Sequence, residues 1–459
     1  PGERAEAVSG NAPSKVRRAL SSRFLRESST LQVGAFLVAG SNFIGAVVMT
    51  HVLGAAELSI FYLGVSCYSL LWALLNLGLA NVVTKRIAAA IQSGSEDMIL
   101  GWMGVFLRLS LLLAVAAVAA GLLVFPPGAR LAFSGDGERI ARLASALVLI
   151  PLLDVPRIVC CAALQGERRM GALARVDMGH ELCRLVLVVS GALAFGDAWG
   201  AVLGLLASSL CGSLLALDAY LRESRRAGSV LPSLFGAARS RVVPAREALR
   251  EGVQVGLVRN VDSLGVQTLP TLILGSLGDP SWVAYLRIAQ RMVSVARVVM
   301  QGINRTALPA LSQLAGVKDV SGLRSTYWRA SLLSGVTITA GLLLALPALP
   351  FLLPRLFPPD FVEPLWTMVL ILTPGLCIVS FSVANDVFYL VTDQMGVAIK
   401  LSLLGLVVNT AQVAFFAWWL PTIGVAIGLT VTCLWSLVHL AYAWVWFRRH
   451  PELQSPVAP

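Results

Sequence analysis

Long apolar stretches dominate the chain, and its polar residues gather in the short gaps between them. Spanning-length runs recur at 31–52, 58–80, 99–124, 140–162, 173–195, 198–220, 249–275, 282–305, 328–350, 364–390, 397–420 and 422–447. A helix that crosses a bilayer needs about 20 apolar residues, because it rises about 1.5 Å per residue through about 30 Å of hydrocarbon. Each run meets that length. The pattern therefore predicts an all-α polytopic membrane protein of about 12 transmembrane helices.

The gaps alternate in charge. The leading arm holds Lys15, Arg17, Arg18, Arg23 and Arg26, and every second gap after it is basic: Lys85 and Arg86; Arg168 and Arg169; Arg222 to Arg246; Lys318 and Arg324; then Arg448 and Arg449. The intervening gaps 53–57, 196–197, 276–281 and 421 carry no base, and Arg130, Arg139 and Arg355 run against the trend. Basic loops stay in the cytoplasm, so both termini are expected there, as an even helix count requires. The longest basic gap, 221–248, divides the chain into a basic arm (1–30), an N-terminal lobe (31–220), a cytoplasmic linker (221–248), a C-terminal lobe (249–447) and a cytoplasmic tail (448–459). A weak repeat supports two six-helix lobes. "VLGAAELSIFYLGVSCYSLL" at 52–71 resembles "SLGDPSWVAYLRIAQRMVSV" at 276–295, each with a tyrosine (Tyr62, Tyr285) soon after a Leu-Gly pair. Six helices per copy give a parallel repeat about an axis normal to the membrane, with a substrate site expected between the lobes near the midplane.

Composition narrows the function classes. Hydrophobic residues make up 57% of the chain and charged ones 13%, against about 25% charged in a soluble domain. The net charge of +11 is spread over loops rather than over one soluble face, which argues against nucleic acid as a partner. Seven cysteines lie inside apolar runs without metal-ligand spacing, and four histidines are scattered. Neither a metal nor another cofactor is expected. Residues 1–29 lack the apolar core of a cleaved signal peptide.

The candidate chemistry lies where charge interrupts the apolar runs. In 282–305, Arg287, Gln290, Arg291, Ser294, Arg297, Gln301 and Arg305 fall within a stripe of roughly 120° at about 100° per residue, over roughly 27 Å of helix. An arginine facing lipid costs at least about 2.5–3.5 kcal/mol. The stripe must therefore either line a hydrated cavity and offer guanidinium groups to a phosphate or carboxylate, or pair with acids on neighbouring helices. In 249–275, Arg259, Asn260, Ser263, Gln267 and Thr271 share one face with Asp262 to its side, and Pro270 frees backbone groups that protein or water must satisfy. In the first half, Asp177, His180, Glu181 and Arg184 cluster on one helix, and Asp154, Pro156 and Arg157 interrupt the one before it. Asp154 and Arg184 could pair across the two helices. Alternatively, Asp154, Asp177, Glu181 and Asp262 are candidates for coupling transport to H+ or Na+. Asp386 and Lys400 lie near helix ends, where they reach water.

Three segments, "THVLGAAELSIFYLGVSCYSLLWALLNLGLANVVTKRIA" (50–88), "TLILGSLGDPSWVAYLRIAQRMVSVARVVMQGINRTALPALSQLAG" (271–316) and "LFPPDFVEPLWTMVLILTPG" (356–375), resemble the multidrug/oligosaccharidyl-lipid/polysaccharide flippase superfamily, in particular its Wzx-type polysaccharide flippases. The resemblance covers nearly the whole chain. It implies two lobes about a cationic cavity, alternating access, and movement of a polyprenyl-pyrophosphate-linked oligosaccharide, such as an O-antigen-type repeat unit, from the inner to the outer leaflet of a bacterial cytoplasmic membrane. Membrane lipid and polysaccharide assembly proteins would be its partners. Arg259, Asn260, Arg287, Arg291, Arg297 and Gln301, with Arg184 from the other lobe, are the substrate-binding candidates. Relatives often carry an acid where this chain has Pro270. The competing reading within the superfamily is a MATE-type, cation-coupled multidrug antiporter, which needs anionic cavity groups that 31–52 lacks. A membrane enzyme would need a sizeable soluble loop with a nucleophile–base pair or metal ligands, and the sequence offers none.

Overall fold

The computed structural model describes residues 13–450 apart from 76, 77, 134, 227, 241, 317 and 318; the side chains of 13–36, 74, 251, 254, 255, 257–259, 262, 263, 295, 297–299, 301, 302, 304–306, 308–310, 313 and 316 are outside the description. All regular structure among the described residues is helical. The elements are α1 (Pro13–Leu75), α2 (Leu79–Gln92), α3 (Glu96–Ala132), α4 (Gly137–Leu147), α5 (Ile150–Gly166), α6 (Met170–Phe195), α7 (Ala198–Ser224), α8 (Leu234–Arg239), α9 (Ala245–Ser263), a π-helical turn (Leu264–Thr268), α10 (Leu269–Leu277), α11 (Val283–Gly316), α12 (Val320–Ala345), α13 (Leu349–Leu356), α14 (Pro359–Ser380), α15 (Asn385–Val391), α16 (Met395–Trp419), α17 (Gly424–Thr432) and α18 (Trp435–Arg449).

The described residues of every apolar run lie mainly on these helices. The first two share α1, which bends at Gly54, where φ is 68° and ψ 178°. Only glycine adopts that backbone without a Cβ penalty, so the Leu-Gly pair marks the turn between two crossings. Nine stretches among the described residues are long and apolar enough to span, with Leu37–Ala73 counted as one across the bend. The runs at 249–275 and 282–305 are helical too, and their described residues include one shorter apolar helix, Leu264–Leu277.

Three apolar cores organise the bundle. One draws on both halves, from Ala46, Met49, Phe61 and Tyr62 through Leu274, Leu286 and Phe361 to Leu429, and fills the end opposite the 221–248 linker. At the linker end the described residues form separate cores, one from residues 79–248 and the other from 307–447. Hydrogen bonds pin the shared end. The Ser59 hydroxyl donates to the Ser281 carbonyl at 3.1 Å and accepts from the Ala284 N–H at 3.0 Å. Ala284 lies in the first turn of α11, whose N–H groups lack helical partners, so a side chain of one half caps a helix of the other. Toward the linker end the halves meet chiefly along a seam where α2 leans on α9, with smaller contacts of α1 and α3 on α9. A Cβ on Gly78 would lie 2.6 Å from the backbone nitrogen of Gly256.

The linker is not a plain loop. It contains α8, N-capped by the Ser233 hydroxyl, which accepts from the Gly236 N–H at 3.1 Å. This segment lies against α3, where Arg108 donates to the carbonyls of Ala238 and Ser240. Its start is tied down by Glu167, which accepts from the Val230 N–H at 3.2 Å, and by the buried Glu223, reached by Arg226 at 2.8 Å, Arg175 at 3.6 Å and Arg169 at 3.8 Å. The Glu167 carboxylate beside Arg169, with Glu223 behind it, holds that guanidinium above its ordinary pKa.

Candidate functional site

A recess lies against the shared core. Met49, Phe61, Tyr62 and Val188 of the shared core close one side, and the polar lining is Ser41, Asn42, Glu181, Arg184 and Arg291. α1, α6 and α11 supply these groups, so both halves of the chain build the site. The position of α6 depends on small residues. A Cβ on Gly191 would lie 2.2 Å from the Gly200 carbonyl oxygen, and one on Gly204 2.3 Å from that of Leu187. The α6 and α7 backbones are therefore in contact, as small residues permit within a membrane.

Two arginines converge on Asn42 from opposite halves. Arg184 donates to the Asn42 side-chain oxygen, and Arg291 donates to the Asn42 main-chain carbonyl at 3.3 Å. Asn42 keeps its place by donating its own amide to the Val38 carbonyl at 2.9 Å. Arg184 also holds Glu181 on its own helix, through Nε at 3.0 Å. Arg291 differs. Among the described residues no carboxylate lies within ion-pair distance of Arg291 or of Arg287, and both guanidinium groups lie over the Tyr62 ring, 5.3 and 5.7 Å from its centre. The ring's negative face offsets part of their charge. Arg287 Nε is buried with no hydrogen-bond partner among the described residues.

Gln290 connects this stripe to the break in the preceding helix. Pro270 has no N–H to give the carbonyl four residues back, that of Val266. Gln290 Nε2 donates to that carbonyl at 3.0 Å, while its Oε1 accepts from Arg287 at 3.4 Å. The π-helical turn at Leu264–Thr268 accommodates the same defect, as such turns do in kinked helices. The group freed by proline is thus satisfied by the cationic helix.

The other candidates fall in several places. Asn260 donates to the Ala73 carbonyl at 2.6 Å and ties α9 to α1, away from the recess. The side chains of Arg259, Asp262, Arg297 and Gln301 lie outside the described residues. Asp154 pairs with Arg157 at 2.8 Å, one turn along the same helix, rather than with Arg184 across helices. Residues three apart on a helix are neighbours, and Arg157 and Arg184 both found their acid that way. Asp177 lies in the field of Arg157 and Glu181. His180, against Gly212 of α7, has a buried Nδ1 without a partner among the described residues. Among these residues no three metal-ligating side chains gather. Sequence reasoning passed over Asn42 as a site residue and took Tyr62 only as a repeat marker. A Ser-Asn pair in the middle of an apolar run was the signal for the first. Tyr285, its repeat partner, packs edge-on against Trp282 and Phe361 instead.

The comparisons with known proteins agree with this architecture. The model of the polysaccharide biosynthesis protein family matches residues 24–315. Probable low-salt glycan biosynthesis flippase Agl15 of Haloferax volcanii is 23% identical over 326 residues, 70% of this chain and 61% of that protein, so the match spans about three-fifths of that relative. Among solved structures, the inward-facing conformation of a multidrug resistance MATE family transporter superposes with TM-score 0.73 at 18% identity, covering 91% of this chain and 96% of that one. An outward-facing conformation of such a transporter gives 0.66 at 17% identity, covering 94% and 96%. A eukaryotic MATE transporter, AtDTX14, gives 0.63 at 15%, covering 94% and 99%. At these identities the likeness to solved structures is one of fold.

Proposed function

The chain belongs to the polysaccharide biosynthesis family, within the multidrug/oligosaccharidyl-lipid/polysaccharide flippase superfamily, and from that premise we propose that it flips a polyprenyl-pyrophosphate-linked oligosaccharide between membrane leaflets. The observation that carries this reading is Arg291 beside Arg287, two cations in a membrane helix with no carboxylate partner among the described residues, the first of them lining the recess. Unpaired guanidinium groups within a bilayer need an anion, and a pyrophosphate offers the oxygen geometry they bind best.

The mechanism follows from the cores. With the far end sealed by the shared core and the linker end divided, the headgroup enters from the linker end, which the basic gaps place in the cytoplasm. The pyrophosphate binds the arginines, the sugar occupies the hydrated cavity, and the polyprenyl chain stays in lipid. Rocking of the lobes 31–220 and 249–447 about the seam then breaks the Ser59 contacts and exposes the headgroup at the other face. Asp154, Asp177, Glu181 and Asp262 are the groups on which coupling to H+ or Na+ would rest, and assembly proteins would take the sugar onward. A bacterial cytoplasmic membrane with both termini inside is the setting this implies.

The solved neighbours make a multidrug antiporter the second reading. Against it, the one carboxylate lining the recess among the described residues, Glu181, is already held by Arg184, which leaves no free anion among them for an organic cation. The test is leaflet exchange of a fluorescent polyprenyl-pyrophosphate sugar in liposomes, read with an impermeant quencher. Protein-dependent exchange is expected. Its absence, with efflux of an organic cation from the same vesicles, would move the assignment to the antiporter.

A further inference from the structure

The two arginines that meet at Asn42 differ in one respect. Arg184 has a carboxylate bound to it, and Arg291 has none among the described residues. Glu181 is not remote from the binding space. It lines the same recess as both arginines, its side chain is 19% exposed, and it reaches Arg184 from the position i−3. An anion seated between Arg184 and Arg291 would lie against Glu181, and two anions cannot share one guanidinium edge without repulsion.

We propose that Glu181 is the resident counter-anion of the pocket: it holds Arg184 while the pocket is empty, and a phosphate-bearing ligand displaces it. This rests on the anionic-substrate reading above and assigns Glu181 a role in that same site. On binding, the ligand oxygens take the Nε and Nη2 edge of Arg184 and bridge to Arg291. The glutamate swings away, and Asn42 keeps both guanidinium groups in place through its side-chain oxygen and its carbonyl. On release Glu181 returns to Arg184, so that guanidinium is not left uncompensated in the membrane, a state that resists letting its anion go. The carboxylate therefore weakens binding and speeds release.

The test measures binding of farnesyl diphosphate to the purified full chain in lipid nanodiscs, for the native protein, Glu181→Gln, Arg184→Gln, Arg291→Gln and the Glu181→Gln/Arg184→Gln double variant. Glu181→Gln is expected to bind roughly tenfold more tightly, the scale of one charge-assisted hydrogen bond, and to release the probe more slowly. Arg184→Gln and Arg291→Gln are expected to weaken binding. The gain from Glu181→Gln should vanish in the Arg184→Gln background, because the competition is for that guanidinium. The melting temperature of each variant without ligand is read alongside, and Glu181→Ala serves as a second substitution should the glutamine variant not fold. Unchanged or weaker binding by folded Glu181 variants, while Arg291→Gln still loses affinity, overturns the displacement role alone. A tightening that persists without Arg184 also overturns it, since it would reflect only the general field. No binding by any variant, with an organic cation bound instead, overturns both this role and the anionic-substrate reading.

Discussion

The two halves of the molecule handle buried charge in opposite ways. In the first half Arg157 and Arg184 each have an acid one turn away, Asp154 and Glu181, while Arg108 is spent on main-chain carbonyls of the linker. In the second, Arg287 and Arg291 share the Tyr62 ring and donate to the Gln290 side chain and the Asn42 carbonyl respectively, with no carboxylate among the described residues. A pair that closes on itself is nearly neutral to its surroundings. An open pair of cations is costly unless something outside the chain completes it. The contrast suggests that the first half supplies scaffold and counter-charge, while the second supplies the net attraction for an anion.

The comparison breaks most visibly at Arg291. Arg291→Ala should lower leaflet exchange by at least about tenfold, the equivalent of one lost charge-assisted contact, with little change in thermal stability. Arg291→Lys should recover only part, because an ammonium group cannot make the two-pronged contact. Full activity in both would place the anion elsewhere. Asp154→Asn tests the closed pairs: it leaves Arg157, 24% exposed, without its partner, and should cost about 2 kcal/mol in a denaturation titration. Were it as stable as the native chain, the pair would not be scaffold. Gln290→Leu removes the donor to the Val266 carbonyl beside Pro270, and should cost about 1–2 kcal/mol. Pro270→Ala in the same chain should restore part of that loss by returning the missing N–H. A cost unchanged by the second substitution would show that Gln290 acts only through Arg287. The smallest effect is at Ser59, whose hydroxyl caps α11 across the seal. Ser59→Ala should weaken the sealed end by about 1 kcal/mol, read as faster labelling of a cysteine placed at Ser281. Equal labelling rates would remove this contact from the gate.

Much of the fold was legible because a bilayer writes a coarse code: apolar length and basic gaps marked the helices, and the Leu-Gly pair fell at the bend of α1. The arginine stripe was legible for the same reason, since charge in a spanning run stands out. What could not be read was the choice among partners. Asn42 meets Arg291 through a main-chain oxygen, which every residue has, so its side chain gave no hint of that contact. Asp154 and Arg184 carry opposite charges on adjacent helices, yet each had a closer partner on its own helix. The polar face of the seventh run looked uniform, but Asn260 is spent on the Ala73 carbonyl. Partner choice depends on distances of a few ångströms, which periodicity does not encode.

The most direct measurement is an experimental structure of the full chain in nanodiscs with a polyprenyl-pyrophosphate-linked sugar bound. The account predicts phosphate density in the recess, in contact with Arg184 and Arg291 beside Asn42, with the sugar toward the linker end. Phosphate density outside the recess, or Arg291 engaged by a carboxylate of the chain while the ligand sits elsewhere, would contradict it.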